Sequence, residues 1–223
     1  MPGIPITPIM KEPSQFQKDR SAQLLVRLDE LRHSLRNVDP EELARRVGSE
    51  YEAFPGGQGE FRLPLWDQPV IVTYPELVAQ DLAGSTLNPL LQAMLVYHFF
   101  TTDGAALADR YIAFSELPDG RFYASAFQGY TGEEIRRSLG DNQQGFMQAA
   151  HSIGGIPYSL GDAAFTFRLL PRVTLLAVFW SGDEEFPCTY QVLFDAAAPH
   201  HLPTDACAIA GSLLTRRLIA ASG

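Results

Sequence analysis

The stretch AAFTFRLLPRVTLLAVFWSGDEEFPCTYQVLF, residues 163–194, decides the fold class. It holds three β-rich runs, 163–169, 172–180 and 188–194. Leu170-Pro171 separates the first two, and WSGDEEFP, Trp180 to Pro187, separates the last two. Connections this short join antiparallel neighbours, so the segment reads as a three-stranded meander. Upstream, 61–65 and 69–74 flank Trp66-Asp67-Gln68 as a first hairpin, whose prolines place it toward a sheet edge. A second hairpin is expected where 111–117 and 121–127 flank Pro118-Asp119-Gly120.

Helical periodicity fills the remainder. Leu24, Leu28, Leu31 and Leu35 give 14–36 a narrow apolar stripe, read as packing on the domain in preference to a dimerising coil. Asp39-Pro40-Glu41-Glu42 supplies an N-cap and a proline at the first helical position, for a helix that stops at Gly48. Segment 86–100 is apolar nearly all round and is expected as a central, buried helix. Thr131 with Glu134, and Asp141 with Gln144, read as capping boxes of two further helices. A last helix over about 204–220 carries Arg216-Arg217 at the negative end of its dipole. Grouped hairpins with about six helices outside them, and no strand-helix-strand alternation, make the fold class α+β. The chain divides into a proline-rich extended arm (1–13), an N-terminal amphipathic helix (14–36) and a single α+β domain (38–223).

Composition narrows the function classes. Of 223 residues, 46% are apolar, enough for a sizeable core, and 17 basic against 26 acidic residues leave a net charge of -9. Such a surface repels phosphate backbones and anionic membranes, so nucleic acid and membrane partners are not expected. The pairs Arg45-Arg46, Arg136-Arg137 and Arg216-Arg217 read as solvated faces. No run approaches the ~20 apolar residues that cross a bilayer. The start, MPGIPITPIMKEP, has no basic segment ahead of a continuous apolar one, so it does not read as a secretory signal. Two cysteines without a C-x-x-C encode neither a disulfide scaffold nor a self-sufficient metal cage, and the expected compartment is the cytoplasm.

No P-loop, strand-linked G-x-G-x-x-G, G-x-S-x-G elbow or H-E-x-x-H occurs. Gly56, Gly57 and Gly59, with no lysine after them, read as a flexible connection. His98 reads as a core histidine ahead of a ligand, and His200-His201 as a polar loop pair. Asp195 lies about 20 Å along the last strand from the turn acids, so it is expected to meet Arg172 as an ion pair rather than join them. Asp183, Glu184 and Glu185 are more acids than a turn requires, and Trp180 and Phe186 flank them.

On Leu-Leu-Ala-Val-Phe-Trp-Ser-Gly-Asp-Glu-Glu-Phe-Pro at 175–187, Val-Leu-Phe-Asp at 192–195, Leu202, Asp205, and Tyr-Ile-Ala-Phe-Ser-Glu-Leu-Pro-Asp-Gly at 111–120, the chain resembles a prokaryotic family designated domain of unknown function 3786. Val96-Tyr97-His98 and Asp103-Gly104 also fit, and the resemblance spans about 38–221. It implies no particular activity. Some relatives carry a cysteine-rich iron–sulfur module ahead of this domain, which implies redox or corrinoid chemistry nearby. Here the arm and the first helix stand in place of those cysteines, so a cluster would come from a partner.

The expectation is an accessory or ligand-binding protein without a catalytic signature. Its recognition surface is placed at Trp180, Asp183, Glu184, Glu185 and Phe186, joined by His98, Arg110 and Tyr111 if their elements reach that end. The ligand or protein partner, and any cofactor, are left open. The alternatives are an enzyme holding Mg²⁺ or Mn²⁺ on the turn carboxylates, and an assembly subunit or homo-oligomer gripping through 14–36.

Overall fold

In a computed structural model, residues 26–223 are described, and they begin within helix α1 (26–35). Leu28, Leu31 and Leu35 of its stripe are buried in the main core, so this stripe packs within the chain. Leu24 and the arm 1–13 lie outside the described residues. The single Tyr74 hydroxyl proton lies within reach of both the Arg36 and the Val38 carbonyls just past α1, tying that connection to β3. Helix α2 (Pro40–Val47) has the expected caps: the Asp39 carboxylate accepts from the Glu41 N–H, and Gly48 takes a left-handed φ of 78°.

The first sheet is β1 (Glu50–Phe54), β2 (Gln58–Leu65), β3 (Gln68–Tyr74) and β4 (Ala79–Gln80), antiparallel and in sequence order. Burial alternates along β2 and β3, placing Phe61, Leu63, Leu65, Val70 and Val72 inward. This hairpin is central rather than at an edge. Its prolines survive there because Pro64 and Pro69 face each other beyond the ends of β1 and β4, so neither is asked for a ladder donor on its outer side. Helix α3 (Pro89–Thr101), capped by Asn88, is buried from Gln92 to Val96 and again at His98 and Phe99. The Gln92 side-chain amide bonds both the N–H and the carbonyl of Ala79, standing in for the strand that β4 lacks.

The expected second hairpin is not formed. Only β5 (Tyr111–Ile112) is extended, and it is followed by a 3-10 turn at Phe114–Glu116, a second at Gly120–Phe122, and helix α4 (Ala124–Tyr130). Pro-Asp-Gly does turn the chain, with Asp119 at φ 56°. Gly120 is then pressed so closely on the Phe114 carbonyl that a Cβ would not fit. Ala124, Ala126 and Gln128 a little further on favour a helix, in a setting that offers no strand partner. Helix α5 (Gly132–Leu139) lacks the expected capping box, because the Thr131 hydroxyl donates back to the Phe127 carbonyl. Helix α6 (Gln143–Ser152) is capped by Asn142 rather than by Asp141.

The meander is present as β7 (Ala163–Leu170), β8 (Val173–Trp180) and β9 (Thr189–Asp195). With β5 and β6 (Ile156–Pro157) at its edges it makes a five-stranded antiparallel sheet, ordered β5-β9-β8-β7-β6. Strand β8 is buried on both faces, which explains its unbroken apolar run. One face carries Leu175, Ala177 and Phe179 into the main core. The other carries Leu176 and Val178 into a small cluster under Tyr111, Trp180 and Leu193. Helix α7 (Thr204–Ala221) closes the fold with Leu214 and Leu218 fully buried.

The use of the α1 stripe is testable. Leu31→Ala should lower stability by about 2–5 kcal/mol in chemical denaturation, whereas the exposed Val26→Ala should stay within about 0.5 kcal/mol. A Leu31→Ala loss that grew with dilution would instead assign the stripe to a subunit interface.

Candidate functional site

The WSGDEEFP tip is built from backbone amides held by carboxylates. The Asp183 carboxylate accepts from the N–H groups of Glu185 and Phe186 at 2.9 and 2.7 Å. Those bonds, that from Phe186 foremost, hold its carboxyl below the usual range. Asp162 accepts from the Ser181 N–H at 2.7 Å, and Asp141 from the Gly182 N–H at 3.2 Å. Asp141 and Asp162 were not among the residues expected here. Glu184 and Glu185 are exposed, and Phe186 is 67% exposed beside them. The tip is a solvent-facing turn rather than a concavity, while Trp180 lies half-buried on the outer cluster of the sheet.

Arg110 and Tyr111 lie at the opposite end of the ladder, and no contact among the described residues joins His98 to either. Trp180 faces Thr189 while Tyr111 faces Asp195, six residues further along β9. At ~3.3 Å per residue that separates the tip from Tyr111 by about 20 Å. Arg110 is exposed, and its carbonyl accepts from the Ala196 N–H. Tyr111 stacks edge-on with Tyr158, and burial, with Asp195 next in weight, pushes its phenol up to about 12.

The same end holds a buried polar cluster. Asp195, 1% exposed, accepts from the N–H groups of Ala108, Asp109 and Ala197. It therefore makes no ion pair with Arg172, which donates instead to the Ala105 and Arg45 carbonyls. Three amides outcompete a guanidinium because a buried carboxylate needs short, fixed donors on several lone pairs. His98 is fully buried, with Nδ1 3.3 Å from the His201 carbonyl oxygen. His201 is buried as well, contrary to the expected polar loop, and its Nδ1 lies 2.8 Å from the Thr102 hydroxyl. Only His200 of that pair is exposed, bonded to Asp103.

A concave site lies elsewhere, at the junction of the first sheet with α7. A cleft of about 490 Å³ is walled by Trp66 and Val70 of the β2–β3 hairpin, by Leu82 on the β4–α3 loop, by Leu87 and Leu91, and by Arg217. Trp66 and Asp67 form the two-residue turn, at φ 50° and 62°. A two-residue hairpin turn calls for left-handed residues, usually Asn-Gly. A tryptophan there is an outlier, and such strain collects at functional sites. The guanidinium of Arg217 lies 5.1 Å from the Trp66 ring centroid. Its Nε–H is buried without an acceptor. Arg217 is thus no solvated face, and burial lowers its pKa against the opposing influence of Asp67. The sequence carried one hint of this site: a hairpin turn with an indole where a glycine would be ordinary.

With this geometry in view, the comparisons with known proteins add the family. Residues 39–217 match the family model described as Domain of unknown function (DUF3786), and the chain belongs to that family. No curated protein and no solved structure matches it. Among the described residues no helix is long and apolar enough to cross a membrane.

Burial pushes the pKa of His98 from 6.5 down to about 4, against the favourable bond to the His201 carbonyl. The unfolded chain therefore binds a proton that the folded chain refuses between those values. The stability that depends on neutral His98 is complete above pH 6.5 and is lost as pH falls toward 4, a total of about 3 kcal/mol. Burial shifts His201 in the same direction. Denaturation midpoints measured from pH 7 to 4 should fall accordingly, and His98→Leu should flatten that slope.

Proposed function

We propose that this protein binds a small apolar molecule in the cleft between the β2–β3 hairpin and α7. The observation that carries the reading is the cleft's lining: mostly apolar and aromatic side chains, with Gln68, Asp81 and one cation, Arg217, as its polar groups. Ligand sites of similar volume combine an apolar wall with few polar groups in this way. Leu82 supports it from the rim, since it is 66% exposed at the tip of a loop that the Asp81 carboxylate pins through the Ala83 and Ser85 amides. A leucine kept in water beside an apolar cleft gains by covering an occupant.

Other readings have less behind them. At the WSGDEEFP tip, Asp183 is engaged by two amides, and Phe186, Glu184 and Glu185 project as surface, a form that suits a protein contact better than a small ligand. Among the described residues no three His, Cys, Asp or Glu side chains gather closely enough to hold a metal ion, which weighs against a divalent cation on those acids. The described part of the 14–36 stripe is occupied by the core, which weighs against its use as an assembly handle.

The chain has two tryptophans. In Trp180→Phe, Trp66 is the sole indole, and 8-anilino-1-naphthalenesulfonate should quench its emission as the dye brightens. Filling the cleft with Leu87→Phe and Leu91→Phe should weaken that binding about tenfold or more, equivalent to ~1.4 kcal/mol. Dye binding that leaves Trp66 unquenched, or that ignores the filled cleft, overturns the reading.

A further inference from the structure

We propose that the occupant of the cleft is an organic monoanion, a carboxylate on an apolar chain or ring, anchored by Arg217. This inference rests on the cleft being a binding site and adds the ligand's class.

The first argument is an unmet donor. A guanidinium offers five N–H groups in a planar fork, and that of Arg217 has its Nε–H buried with no acceptor. The Nε–H is closed to solvent, as are those of Arg32, Arg46 and Arg172, so an occupant of the cleft meets the rest of the Arg217 fork, for which no described residue supplies a hydrogen-bond or ion-pair partner. The planar fork matches a carboxylate in a way a flexible ammonium does not.

The second is charge. No carboxylate of the described residues lies within ion-pair distance of Arg217. Asp67 acts on it only through space. Asp81, the acid lining the cleft, spends one oxygen on the Ala83 and Ser85 amides. Trp66 lies against the cation and shields it from water, which strengthens its pull on an anion.

The third separates one negative charge from two. Arg217 is the one basic residue lining the cleft among those described, and it stands on α7 just before its last turn. A phosphate dianion would find no second cation and no helix N-terminus there, on a chain of net charge -9. A carboxylate needs only the one guanidinium. The body of the ligand then runs along Leu87 and Leu91 beneath Leu82, which offer it only apolar contacts.

The test uses the full chain carrying Trp180→Phe, with Trp66 emission as the readout and four matched probes: octanoate, octanol, octylammonium and octyl phosphate. Octanoate should bind about tenfold or more tightly than each of the other three. Arg217→Met should remove the preference over octanol while octanol still binds, and Arg217→Lys should keep part of it. Octanol binding as well as octanoate with Arg217 intact would sink the anion assignment and leave the cleft reading standing. Octyl phosphate binding more tightly than octanoate would sink the monocarboxylate. If none of the four perturbs Trp66, the cleft reading falls and this inference falls with it. The probe comparison is made with Arg217 in place, so it decides the ligand class whether or not the arginine variants fold.

Discussion

The two sheets share one buried core, and a backbone hydrogen bond joins them directly: the N–H of Trp66, in the β2–β3 turn, donates at 3.0 Å to the carbonyl of Leu169 in β7. The turn is wedged there, with Asp67 against Gly154 at the end of α6. Forcing Trp66 into a left-handed conformation costs roughly 1–2 kcal/mol. Burying its indole to 8% exposure recovers a gross amount of about 4–6 kcal/mol. Burial wins, so the strained turn is a stable one. The turn forms one wall of the cleft, and the cation of Arg217 lies against the same indole.

The far end of the five-stranded sheet is held by different means. Residues 102–110 have almost no regular structure, yet they are fastened at four points by side chains. His201 meets Thr102, His200 meets Asp103, Arg172 meets the Ala105 carbonyl, and Asp195 takes the amides of Ala108 and Asp109. The His201–Thr102 and Asp195 bonds are buried, made in a low dielectric where leaving them unmade would be expensive, while the His200–Asp103 pair is exposed. Two neutral imidazoles, His98 and His201, belong to this fastening, which makes the end sensitive to protons in a way the apolar core is not.

Parts of this arrangement could be read from the residues in order. The meander was legible because β8 is buried on both faces, which leaves an unbroken apolar run between turn signals. Helix α2 was legible because its caps are local: Asp39, Pro40 and Gly48 act within one or two turns of their own backbone. The second hairpin misled because Pro-Asp-Gly specifies a turn without specifying a partner strand, and 121–127 found helix contacts instead. Asp195 and Arg172 do share one end of the sheet, but three amides from loops outside the ladder reached the carboxylate first. The expected recognition surface was drawn to WSGDEEFP by its charge density. Of those acids only Asp183 builds the turn, helped by Asp141 and Asp162 from elsewhere in the chain, while Glu184 and Glu185 stay exposed.

By itself the sequence determined the α+β class, the three-stranded meander, the buried α3 and the family, since each follows from local periodicity, local caps or a contiguous motif. Only the tertiary structure decided where a ligand could sit. Trp66 and Arg217 belong to a hairpin turn and to the last helix, with nothing in the sequence around either to point to the other, and they meet because the first sheet and α7 pack on one shared core. A cavity is a relation between surfaces far apart in the chain, and periodicity, which records only which face of an element is buried, carries no term for it.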